Sequence, residues 1–164
     1  MTDTAAARVL LPDAPVVVAG SRVAAWLSAD GEIETVSTRE AAERARGTRP
    51  ILCHRPAAWA RLGGEPFAAL DVLELFAFAR PARFCLPTPR GLAEALDMRR
   101  PEGIEAEAAA LMDVVRLLLG ELVLATHRDD AAMLADARAI AWRMGRGGWG
   151  WGPAALAALG VHGE

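Results

Sequence analysis

A chain of 164 residues has the length of one ordinary domain, able to bury most of its apolar surface without disulfides. Its formal charge of −3, from 18 basic and 21 acidic residues, is the reverse of the basic footprint of a domain that binds nucleic acid tightly by itself. All 18 basic residues are Arg, which we attribute to base composition, and the lack of Lys excludes the phosphate-binding lysine of a P-loop.

The hydrophobic share of 53% is inflated by Ala, and no run of about 18 uncharged apolar residues spans a bilayer, so no membrane association is expected. The N-terminus has Asp3 and Asp13 where a secretory leader has a basic start, and Pro12 and Pro15 break its apolar run. A cytoplasmic location is the expectation. Cys53 and Cys85 lack the C-x-x-C spacing and nearby His partners of a zinc site, and read as buried thiols.

In chain order, PVVVA at 15–19, the alternating RVAAWLS at 22–28 and EIETV at 32–36 read as three antiparallel strands, the last two joined through Ala29-Asp30-Gly31. Ser37 and Glu40 have capping-box spacing, and Gly47 stands where a helix stops, which predicts a helix over 38–46. A fourth strand follows at 50–54. Pro56 then suits the first turn of a helix running to Leu62, closed by Gly63-Gly64. Leu70, Leu73, Phe76 and Ala77 share one face of a helix over 69–80, stopped by Pro81. A proline-stiffened loop at 81–91 leads to a short helix at 91–98, then to long helices at 104–125 and 128–146.

The expected architecture is α+β: a mixed sheet of three antiparallel strands plus one or two parallel strands, with helices and an all-helical C-terminal extension. The expected division is 1–125 and 126–164. His127, Asp129 and Asp130 sit at a helix start, where acids cap the positive end of the dipole, and this outweighs a metal cluster. Trp149 and Trp151, in RGGWGWGP, read as rings packing a bend, with a base-stacking platform as the lesser alternative. No G-x-S-x-G elbow or H-E-x-x-H helix occurs.

The order of three strands, helix, strand, helix, then further helices resembles the ribonuclease-H-like fold and, within it, DnaQ-like 3′–5′ exonucleases. The resemblance rests on two stretches within residues 15–125. His54-Arg55-Pro56-Ala57-Ala58-Trp59 is similar to the family's H-N-x-x-F-D, and LDVLELFAFARPARFCLPTPRGLAEALDM to its D-x-L-x-L-A-x-x-x-x-P followed by L-x-x-L-A-x-x-L. Chemistry in that family needs two metal ions about 4 Å apart, held by several acids. The resemblance implies that those positions are degenerate here: the first-strand D-x-E falls near Ala19-Gly20-Ser21, and the helical Asp near Trp59. No histidine has an Asp five residues on, so the closing H-x-x-x-x-D is missing as well. His54 reads as a strand-end histidine bonded to backbone, Asp71 matches a supporting position, and the Trp59 ring is expected to plug the vacated metal site.

ARPARFCLPTPRGLAEAL and WGWGPAALAALG also resemble the N-terminal region of alphaproteobacterial DinG-type ATP-dependent DNA helicases. That resemblance implies a catalytically inactive accessory domain without a cofactor of its own, whose partner is a helicase core in the same chain. Arg55, Arg83 and Arg90 would border the old cleft and bind single-stranded DNA weakly. Two other readings stand beside it: an active exonuclease using Asp13, Asp71 or Asp113, and a stand-alone protein-interaction module.

Overall fold

The computed structural model describes residues 9–162. They form two compact units, Asp13–Val115 and a second comprising the described residues before Asp13 and from Arg116 onward.

The first unit is α+β. Its strands are β1 (Val16–Ala19), β2 (Val23–Leu27), β3 (Ile33–Ser37), β4 (Ile51–Leu52) and β5 (Leu70–Asp71), in the sheet order β3-β2-β1-β4-β5. β1 pairs antiparallel with β2, and β2 with β3, while β4 runs parallel to both β1 and β5. The period-two alternation of strand side chains decides the two faces. Val17 opposite Trp26 and Ala19 opposite Ala24 join the core of α1 (Thr38–Thr48) and α2 (Arg55–Arg61). Val16 opposite Leu27 and Val18 opposite Ala25 point the other way and are buried too. A sheet covered on both faces suits near-continuous apolar runs such as VVVA better than polar alternation.

The β2–β3 hairpin turns at Gly31, whose φ of 93° is open to glycine at no steric cost. Ser28 fastens it, its amide donating to the Glu32 carbonyl and its Oγ accepting from the Glu32 amide. Ser37 caps α1 by accepting from the Glu40 amide at 3.1 Å. The helix runs past the expected stop at Gly47 to Thr48, and Arg49 ends it in the left-handed region. Pro50 explains the shift, because the residue before a proline is driven out of the right-handed helical region.

Three further expectations change. β4 covers only 51–52 of the expected 50–54, since His54 adopts φ 61° and its amide turns to a side chain. Residues 69–71, expected to begin a helix, end in β5, and α3 (Val72–Ala79) starts after them. α4 spans Pro89–Ala95, earlier than the expected 91–98, because Thr88 caps it through the Gly91 amide with Pro89 in the first turn.

α5 (Ile104–Ala125) gives its first half to this unit and its second half to the other. The helical unit also contains α6 (Ala131–Arg146) and α7 (Gly152–Ala158). Asp130 caps α6 by accepting from the Met133 amide at 2.9 Å, the role expected of the acids after His127. α6 and α7 meet at Gly145 and Gly152, where a Cβ on Gly152 would lie 2.7 Å from the Gly145 Cα. Trp151 and Leu159 are fully buried, and the Arg138 guanidinium donates to the Leu159 carbonyl at the end of α7. No helix among the described residues is long and apolar enough to cross a membrane.

Candidate functional site

The site begins where β4 gives way to α2. Parallel pairing sets β1, β4 and β5 running the same way, so Ala19, His54 and Asp71 all lie at the ends where these strands finish. In sheets of this kind ligands bind beyond the carboxyl ends of parallel strands.

Asp71 organises the turn. It is buried, with 5% of its surface exposed, and its carboxylate accepts three main-chain N–H bonds: Oδ1 from His54 at 3.0 Å and Leu73 at 3.1 Å, and Oδ2 from Arg55 at 2.9 Å. One side chain therefore caps α3 and also fixes the left-handed bend that opens α2. This use of both oxygens gives Asp71 a supporting role in the geometry. Asp71 and Glu74 also have the Asp-x-x-Glu spacing of a capped helix start, the signal that could have placed β5 before α3.

His54 is half-buried and meets Asp71 through its main-chain amide, and its imidazole does not cap α2. The expected bond from the imidazole to backbone is not found among the described residues, and the main-chain amide of His54 donates to the Asp71 side chain instead. Arg55 pairs with the Glu74 carboxylate, and Arg90 with Glu107 at 2.9 Å. Two of the three arginines expected to line a cleft are therefore engaged with carboxylates, while Arg83 is exposed on the loop after α3. Sequence reasoning missed both acidic partners, since Glu74 and Glu107 lie 19 and 17 residues from their arginines.

Ala19 is buried and Ser21 exposed in the β1–β2 turn. Arg61, in the last turn of α2, donates from Nη1 to the Ala19 carbonyl at 3.2 Å. It went unnoticed in the sequence because its approach to β1 depends on the parallel β1–β4 register. At the β1 position where the resemblance puts an acid, the neighbouring side chain is thus a cation. Trp59, two residues before Arg61, is half-buried and meets Phe67 edge-on, with ring centroids 6.3 Å apart and planes at 72°. Its Nε1–H is buried without a hydrogen-bond partner. Phe67 in turn packs on the core of α1, α2 and the sheet.

Among the described residues no group of three or more His, Cys, Asp or Glu side chains is arranged to hold a metal ion. Asp113 lies apart from this turn, in an open recess of about 490 Å³ lined also by Met98, Arg99, Arg100, Glu102 and Ala110. Cys53 and Cys85 are free thiols, each partly buried. Burial pushes the Cys53 thiol far above its ordinary value, and the charges of Asp71, Cys85 and Glu107 add to the effect. Burial raises Cys85 in the same direction. Both are poor nucleophiles at neutral pH, which argues against cysteine chemistry. In the helical unit, Trp151 is fully buried and Trp149 half-buried, so the WGWG segment presents no pair of open rings on which bases could stack. No family model, curated protein or solved structure matches the chain.

Proposed function

We propose that residues 13–115 are a ribonuclease-H-like module of exonuclease type without nuclease catalysis, acting as an accessory domain of a DNA helicase. The sheet order β3-β2-β1-β4-β5, with its antiparallel and parallel halves, is compatible with that layout. The observation that carries the reading is the chemistry at the ends of β1 and β4. Ala19, Ser21 and Trp59 stand where acids would be needed, and Arg61 brings a guanidinium against the Ala19 carbonyl. Two divalent ions held about 4 Å apart require several converging carboxylates, and a fixed cation in their place opposes their binding.

What remains for such a module is contact with its helicase core and weak positioning of single-stranded DNA. With net charge −3 and both Arg55 and Arg90 paired to carboxylates, affinity for single strands should be no better than about 10 µM at physiological salt. The test is incubation with end-labelled single-stranded DNA and Mg²⁺ or Mn²⁺. The strand should stay full length. Chelator-sensitive shortening that disappears in Asp71→Asn or Asp113→Asn would replace this reading with that of an active enzyme. For the helicase link, the reading frame after residue 164 should encode a P-loop. A frame that stops there favours the stand-alone interaction module.

A further inference from the structure

The helical unit carries an exposed apolar seam. At 100° per residue, Met133, Ala137, Ile140 and Met144 recur at spacings of four, three and four on α6 and fall within about 60° of one another. Met133 is 62% exposed, Ile140 49% and Met144 38%. One flank of the seam, toward Leu134, Ala141 and Gly145, is where α7 packs through the contact of Gly145 with Gly152. The other flank holds Asp136 and Arg143, both exposed and neither ion-paired with another described residue.

We propose that this face is a homodimer surface, on which α6 of a second copy of this chain lies antiparallel across a two-fold axis. The order of the residues selects that occupant. The seam is symmetric about the point midway between Ala137 and Ile140. Reversing a second helix there sets Met133 against Met144 of the second copy, and Ala137 against Ile140 of the second copy, large beside large and small beside branched. The same operation brings Asp136 beside Arg143 of the second copy, twice, once on each side of the axis. A two-fold contact must be self-complementary in this way. A parallel pairing instead faces Asp136 toward the small residues near Ala141 and leaves Arg143 unmatched. Opposed helix dipoles favour the antiparallel arrangement as well.

The seam covers about three turns, roughly 16 Å of helix, which is small beside the ~800 Å² per partner of a standard interface. Association should therefore be reversible and concentration-dependent, in the range of roughly tens to hundreds of micromolar. Sedimentation equilibrium of the full chain, from about 10 µM to about 1 mM, reads it directly. The mass should rise from one copy to two. Asp136→Arg and Arg143→Asp should each weaken self-association about tenfold, because each sets like charges together at both rims. An equimolar mixture of these two variants should associate as a heterodimer with parent-like affinity, since each supplies the charge that the other lacks. Ile140→Glu should abolish association, and circular dichroism should show all three variants as helical as the parent. A parent monomeric at 1 mM, charge variants that dimerise like the parent, or a mixture that associates no better than its components would each overturn the proposal.

Discussion

Replacing Trp59 by Ala removes a ring that is half-buried and packs edge-on against Phe67. A fully buried Trp truncated to Ala costs roughly 3–5 kcal/mol, and partial exposure lowers that here. The edge-to-face pair itself contributes about 1 kcal/mol. Against this stands the buried Nε1–H without a partner, which costs on the order of 1–3 kcal/mol in the parent and disappears with the ring. The net loss should be about 2 kcal/mol, below the ~3 kcal/mol expected of a fully buried plug. Trp59→Phe separates the two contributions, because it keeps an aromatic ring and deletes the orphaned donor. It should melt within about 0.5 kcal/mol of the parent or above it. Urea melts followed by circular dichroism give both values. A Trp59→Ala variant that melts like the parent, or a Trp59→Phe variant that loses as much as Trp59→Ala, would rule out this role for the ring.

Asp71→Ala should destabilise by about 3 kcal/mol, since it strands the amides of His54, Arg55 and Leu73 in a half-buried turn; a loss under about 1 kcal/mol in the same melts would show that water replaces the carboxylate. Gly91→Ala should cost about 2 kcal/mol or more, because its Cβ would sit 2.4 Å from the Leu86 carbonyl oxygen, and an unchanged melting curve would mean that the loop yields freely. With its thiol pushed up by burial, Cys53 should react with a thiol reagent at pH 8 at least about 100-fold more slowly in the folded chain than in urea. Because the folded value lies above the unfolded one, the stabilisation linked to this thiol is whole below the ordinary 9.0 and falls as pH rises beyond it. Fast labelling under native conditions would contradict the burial.

The hairpin at Gly31, the cap at Ser37 and the span of α5 were legible because each depends on residues a few positions apart. β5 was not. It has two residues, and the pattern of LDVLELF continues a helical period straight through it, so only pairing with β4 separates Leu70-Asp71 from α3. The positions Ala19, Ser21 and Trp59 could be named from the resemblance, yet their surroundings could not. Arg61 meets Ala19 over 42 residues, and Asp71 meets His54 over 17, distances at which no local pattern operates. The arginine patch fared similarly, because the number of open guanidinium groups depends on partners that only the fold supplies.

The proposed inactivity of the sheet unit rests on the want, among its described residues, of carboxylates for a metal pair at the ends of β1 and β4. Titrating the full chain with Mn²⁺, and reading free ion by electron paramagnetic resonance, tests it most directly. No saturable site tighter than about 1 mM is expected. A site tighter than about 100 µM that vanishes in Asp71→Asn, together with loss of the Asp71 bonds to the His54 and Arg55 amides, would contradict it.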